Sequence, residues 1–572
     1  MVAAELAKVY HTVKHHHSYN SSDCGSKLDP VIYPDSAIAK KLACGRTKSE
    51  AIVTNVLAPK SVETIMNGLS NGRYFSLSTD ASNMKNRKLF PVCLQYFTLS
   101  GIQKKLLDFI EQNDESSSEI ADMLISCLGT YNLSVNNVSG YSADNASVNY
   151  GCKKSVFTAL KALNKNIIKA NCNSHVVHNT LRKVTDIFDC DIETIVTSVY
   201  GHFSISANRR VDLQSFFAFV DLEFHDLLRH VPTRWLSLGP AIERLLKSWP
   251  ALLSYFKSMG TDCPKRIAKC LGLPASGSNE QDDGDIQLSI TEAYLHFSLN
   301  LCNVFEKTVL QLESDSVTFC ELYSIMSQLR DKLKDRLTDR FFGAAATKIL
   351  DGEDMPRNKK VATENNFCDA LERGIAYLEK WFDFDDKNVA CMLQSLSLKD
   401  VASTFQQVKN ICAALHLTVD LDDLYDELST HKEALRSIAE SSKPCQSVAD
   451  KWVQFLTACD VVPPVLYRVV SYVLSLPGSN AFPERIFSLM NAKWRDDRNR
   501  MSVELVKAEL QVFANFTQDC QNFYSLVIGD QSCWIQQRAI RNTNLKLKVH
   551  QGPPKTNRSN FSPPSMTIVL YF

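Results

Sequence analysis

Apolar and polar residues alternate along YFSLST, along KLFPVCLQYFTL and again along IQKKLLDFI, three runs rich in β-forming residues that begin just after Arg73. Side chains on a strand point to opposite faces with a period of two, so these runs predict three strands in a meander. The period then changes. From Ser116 to Tyr131, Ile120, Met123, Leu124, Cys127 and Leu128 recur at helical spacing behind a serine-rich start that can cap a helix. VNNVSGYSA reads as a fourth strand, residues 153–163 as a helix, IIKANC as a short fifth strand and SHVVHNTLRKVTDIF as a further helix. The order βββαβαβα predicts an α/β fold, a mixed sheet with covering helices.

The flanking regions have another texture. Residues 1–70 open with a helical pattern and pass into HHHSYNSSDCGSKLDP, whose Ser, Asn, Asp, Gly and Pro content marks a loop. His15, His16, His17 and Cys24 lack the paired spacing of a zinc finger, so the segment reads as a solvated linker. Residues 71–245 hold the predicted sheet, and residues 246–460 are dominated by long amphipathic stretches such as TEAYLHFSLNLCNVFEKTVLQL, which predict an all-helical insertion. Within it, ASGSNEQDDGD is acidic and rich in Gly and Ser, a mobile loop by composition.

Residues 461–520 carry two apolar stripes, Val465, Leu466, Val469, Val470, Val473 and Leu474, and then Val503, Val506, Leu510 and Phe513. Together they exceed what one small core needs, so part of that surface is expected to pack against a second chain or the helical insertion. Residues 521–572 form a tail that is basic with paired prolines from about Arg538 onward, and disorder is expected there.

Composition narrows the setting. A chain of 572 residues, 45% hydrophobic and 22% charged, is globular and too long for one ordinary core, so two or three domains are expected. Lys+Arg and Asp+Glu both number 63, so any contact with nucleic acid must come from local patches. Eighteen scattered cysteines without a signal-type apolar segment fit a reducing compartment, cytosolic or nuclear. No apolar run approaches the roughly 20 residues of a membrane span.

Against this background three acids stand out: Asp80 in FSLSTDAS, Asp144 in VSGYSADNAS and Glu484 in SNAFPERIFSLM. Asp80 and Asp144 each follow a predicted strand, and adjacent parallel strands ending in acids make a metal cradle at the open edge of a sheet. Both also suit Asx turns, and Glu484 alone, after Pro483, suits an ordinary helix start. Cys172 and His175 form C-x-x-H with His178 one turn on, but no second Cys pair completes a zinc set, so a packed structural role is expected. Cys172 as a nucleophile lacks a base and acid around it.

Taken in order, STDAS, SADNAS, CNSH, TRWLS and SNAFPERIFSLMNAKWRDDRNRMSVE resemble the hAT (hobo/Activator) transposase superfamily and its domesticated animal relatives, over about Tyr10 to Phe516. The resemblance implies an RNase H-like core interrupted by the helical insertion, with Asp80, Asp144 and Glu484 as a D-D-E triad binding Mg²⁺ or Mn²⁺. It implies DNA cleavage and strand transfer, Trp235 stacking on a flipped base with Arg234 beside it on a phosphate, and a structural Cys172 and His175. It further implies a nuclear protein that forms a homo-oligomer through its C-terminal region. The BED-type zinc finger of the family has no counterpart here, since no Cys pair is followed by a His pair, and the chain reads as beginning just after it. DNA binding is therefore expected to be weak or non-specific, through the backbone. The alternative is a domesticated, non-cutting nuclear protein that keeps the fold as a dimerising, DNA-associated regulatory platform.

Overall fold

A computed structural model describes residues 1–70, 73–231, 236–273, 281–399, 403–440, 446–495 and 501–530. The chain divides into two compact units, Ile65–Asn491 and, separately, Met1–Thr64 with Ala492–Phe572.

The larger unit is built on one mixed sheet of six strands: β1 (Phe75–Ser78), β2 (Ser82–Met84), β3 (Arg87–Thr98), β4 (Gly101–Glu111), β5 (Val138–Ser142) and β6 (Ile168–Lys169). Leu89 of β3 pairs with Ser82 and Glu111, and Cys93 pairs with Ser78 and Leu106. So β1 and β2 follow one another along one edge of β3, and β4 takes the other. β5 lies parallel to β1 and β6 parallel to β5. Every residue of β1 and β5 is buried, as expected of strands covered on both faces. The three-residue β2 went unrecognised in the sequence because Ser82, Asn83 and Met84 carry no β pattern.

Helix α1 (Ser117–Thr130) starts where Ser116 Oγ accepts from the Glu119 amide, and α2 (Val156–Leu163) starts in a capping box of Ser155 and Thr158. Helix α3 (Asn173–Thr185) follows β6. Among the described residues between 246 and 460 there are helices and turns but no strand, and the longest helix, α4 (Gln281–Glu313), spans 33 residues. Residues 275–280 of the acidic loop lie outside the described residues, whereas Gln281 already opens α4. One continuous apolar core runs from Phe97 and Ala170 beside the sheet through Phe297 and Phe367, whose rings stack at 4.1 Å, to Leu476.

Helix α5 (Pro464–Ser475) uses its apolar stripe on the sheet: Leu466, Val469, Val470, Val473 and Leu474 are buried against β1, β3 and β5 and neighbouring insertion helices. Gln95 Nε2 of β3 donates to the carbonyls of Leu474 and Leu476 at 3.2 and 3.0 Å, and Tyr472 Oη donates to Asn166 O at 2.8 Å. At Gly140 in β5 an added Cβ would lie 2.7 Å from Leu476 Cδ2, so a larger residue here would push the Leu476 side chain aside. Helix α6 (Ala481–Lys493) comes next.

The smaller unit is helical. Residues Tyr19–Ile32, read from sequence as a loop, are a helix capped by Ser18 Oγ. Capping and burial of Tyr19, Ser22 and Ser26 outweigh the turn-forming composition. Tyr10 of the helix Val2–Lys14 stacks on Phe523 of the helix Cys520–Gly529 at 3.9 Å and donates to Gln518 O at 2.6 Å. In the helix Val503–Asn515, Val506 and Leu510 are fully buried and Phe513 is half-buried. That stripe is therefore largely closed off within a single chain. A buried ion pair joins Lys493 to Glu509 at 3.2 Å, with Tyr19 Oη donating to the same carboxylate at 2.7 Å. Residues 531–572, including the basic tail, lie outside the described residues. Among the described residues no helix is long and apolar enough to cross a membrane.

Candidate functional site

The ends of three neighbouring parallel strands carry the candidate chemistry. Beyond β1, the Thr79 amide donates to Ser142 O at 3.1 Å; beyond β5, the Cys172 amide donates to Ala143 O at 3.1 Å. Pairing thus continues past the strands and delivers Asp80, Asp144 and Cys172 side by side, one from each strand end. Ligand sites form there because the chain must leave the sheet at that edge.

Glu484 arrives from a different direction. Asn480, fully buried, donates from Nδ2 to Thr79 O at 3.1 Å and accepts from Ser142 Oγ at 3.2 Å. It ties the segment before α6 to both central strand ends, and Glu484 follows four residues later on the first turn of that helix. Pro483 sits inside this first turn, where a missing amide hydrogen costs little.

The carboxylates lie in one another's electrostatic field. Burial pushes the Asp80 carboxyl up to about 6, with Asp144 adding to the rise and the Ala81 amide, which donates to Oδ1 at 2.8 Å, opposing it. Burial lifts Glu484 to about 9, with Asp80, Glu313 and Asp144 adding and Arg485 opposing. Among the described residues Glu484 Oε1 is buried without a hydrogen-bond donor. Asp144 is held rigidly: Oδ1 accepts from Asn149 Nδ2 at 2.6 Å and from the Ala146 amide at 3.3 Å, and Asn149 in turn accepts from Tyr141 Oη at 2.9 Å. The Ala146 bond is the Asx-turn contact that the sequence suggested, so Asp144 takes part in a turn while its charge acts on Asp80 and Glu484.

Cys172 and His175 belong to the same place. The Cys172 sulfur, a ring nitrogen of His175 and a carboxylate oxygen of Glu484 all lie within 4.8 Å of one another, with His175 Nδ1 at 4.0 Å from Glu484 Oε1. Burial, more than His178, takes the His175 imidazole down to about 4, and burial first of all, then Glu484, drives the Cys172 thiol far up.

Residues unmarked by the sequence support the cluster. Arg485 reaches Asp315 through two bonds of 2.6 and 2.7 Å, and Lys104 of β4 reaches the same carboxylate at 2.9 Å. These two cations bring Asp315 down to about 2 despite its burial. This network fixes the segment after α4 to α6 beside Glu484. Asn480, Asn149 and Asp315 gave no sequence signal beyond being polar residues in or beside apolar runs. Arg234 and Trp235 lie outside the described residues. No protein-family model and no curated protein matches the chain.

Proposed function

We propose that this is an hAT-type, transposase-derived protein whose RNase H-like core uses Asp80, Asp144 and Glu484 as a D-D-E triad acting on DNA. The observation that carries the reading is the approach of three acids from three distant segments to within electrostatic reach of one another, two at the ends of adjacent parallel strands and one on a helix that returns after a long helical block. The meander β1, β3 and β4 followed by the parallel β5 and β6 supports the RNase H-like part of the reading.

The residues fit a hard divalent cation. Three carboxylates offer oxygen donors, their mutual repulsion is of the kind that a cation relieves, and Glu484 Oε1 lacks a donor among the described residues, although Asp80 and Asp144 would have to draw in toward Glu484 to share one ion with it. Asp80, Asp144 and Glu484 would hold Mg²⁺ or Mn²⁺, which supplies charge stabilisation to the attacking and leaving oxygens of a phosphodiester. The chain's own part is positioning. Asn149 and the Ala146 amide aim Asp144, Asn480 ties the strand ends to the segment before α6, and Asp315 holds Arg485 beside Glu484. Arg234 and Trp235 belong to the DNA-facing part of the reading, as phosphate and base contacts. Nuclear residence and self-association through the C-terminal region complete it.

The test is Mg²⁺- or Mn²⁺-dependent nicking of a hairpin-forming DNA by the purified chain. Asp80→Ala should reduce it on the order of 10²–10³-fold, the scale seen when one charge-stabilising group is removed. Equal nicking by the variant would refute the triad. Metal binding without nicking is the result expected of a non-cutting regulatory platform on the same fold.

A further inference from the structure

The acidic cluster has a second, chemically distinct face. Cys172, His175 and Glu484 offer one sulfur, one nitrogen and one oxygen ligand within 4.8 Å of one another, whereas Asp80 and Asp144 offer oxygen only. A tetrahedral Zn²⁺ site has ligand atoms roughly 3.5 Å apart, given metal–ligand distances of about 2.0–2.3 Å, so side-chain adjustments of about 1 Å would close this group. Thiolate and imidazole select borderline-soft ions such as Zn²⁺ or Co²⁺, not Mg²⁺.

The surroundings of Cys172 suit a metal-bound thiolate. The residue immediately precedes the 13-residue helix α3, so its sulfur sits at the positive end of a helix dipole. The backbone amides of His175 and Asn480 act electrostatically in favour of a thiolate, against burial and the Glu484 carboxylate, which disfavour it. Asp80 and Asp144 stand close enough to act on Cys172 and His175 electrostatically, which adds negative potential favourable to a cation. Arg485, whose charge acts on Glu484, is engaged by Asp315.

We propose that Cys172, His175 and Glu484 form a Zn²⁺-type site with water in the fourth position, and that it shares Glu484 with the hard-ion cluster. On binding, the S–H bond of Cys172 breaks, a sulfur–metal bond forms, and the proton passes to the buffer. The binding claim stands by itself. Its consequence, that a soft ion withdraws Glu484 and so inhibits Mg²⁺-dependent chemistry, rests on the triad reading.

The experiment uses the full chain, freed of metal by a chelator and titrated with Co²⁺ alone. Wild type should show a thiolate-to-cobalt charge-transfer band that Zn²⁺ abolishes by displacement. Cys172→Ser should lose the band, and His175→Gln should weaken binding by about 10-fold or more. A wild-type protein without the band, or a band that survives in folded Cys172→Ser, overturns the proposal. If Cys172→Ser does not fold, His175→Gln decides: unchanged affinity overturns it. None of these readouts involves DNA, so failure of the triad reading appears separately, as unchanged nicking by Asp80→Ala. Where both hold, Zn²⁺ inhibits nicking by wild type and Cys172→Ser resists that inhibition.

Discussion

Replacing Asp80 by Asn should stabilise the ion-free protein while removing its response to Mg²⁺. Asp80 titrates at about 6 in the folded chain against 3.8 ordinarily, because burial and Asp144 disfavour its charge. The folded value is the higher one, so between pH 3.8 and 6 the folded state holds more proton than the unfolded chain, and stability falls as pH rises through that window. At pH 7 the loss would be complete, about 3 kcal/mol at most from one carboxylate. Asp80 keeps part of its surface in water, so we expect Asp80→Asn to regain about 1–2 kcal/mol at pH 7 and little below pH 4. Asn retains an acceptor for the Ala81 amide, so no hydrogen bond is forfeited. Mg²⁺ at 100 times its dissociation constant adds about 2.7 kcal/mol to a protein that binds it only when folded. Urea unfolding in chelator and in Mg²⁺, at pH 4 and pH 7, measures both effects. Destabilisation of the variant by 1 kcal/mol or more in chelator at pH 7, or an equal Mg²⁺ response in both proteins, would refute the reasoning, with 1 kcal/mol here being about a fivefold change in the equilibrium.

Asn480→Ala leaves Thr79 O and Ser142 Oγ without their buried partner and should cost about 2–3 kcal/mol; loss of the Mg²⁺ response in material that still unfolds cooperatively would show that Asn480 sets the spacing of the acids. In the smaller unit, Glu509→Leu leaves the buried Lys493 ammonium, which also donates to Val13 O, without its counter-ion and should cost about 3–5 kcal/mol by urea denaturation, whereas an effect under 1 kcal/mol would mean that the remaining partners suffice. Self-association belongs to the proposed reading, and Leu510→Asp should unfold the smaller unit, since Leu510 is fully buried; charge at the exposed Tyr524 or Ile528 should weaken association of a folded chain, and light scattering that gives a monomer for wild type at micromolar concentration removes the proposal.

Much of the sheet was legible because its signals are local. Alternation in β1, β3 and β4, the serine cap of α1 and the helical spacing of α3 depend on neighbours within a few residues, and each is visible in the chain. The acids Asp80 and Asp144 were legible for the same reason, since a carboxylate directly after a buried strand must emerge at its end. The helix at Tyr19–Ile32 was not, because its composition favours turns and its burial comes from residues far along the chain.

What the sequence alone determined is which residues sit at strand ends and helix starts, since short-range sterics, capping and periodicity fix those choices. Only the tertiary structure decided which of them meet. Asn480 reaches Thr79 and Ser142 across more than 330 residues of chain, Asp315 holds Arg485 from the segment after a helix in the insertion, and Glu484 enters the company of Cys172 and His175 and the electrostatic field of the two aspartates. No pattern in one dimension encodes those distances. They follow from how the parallel strands register and where α5 and α6 pack against them, which buried area and hydrogen bonding settle together for the whole unit.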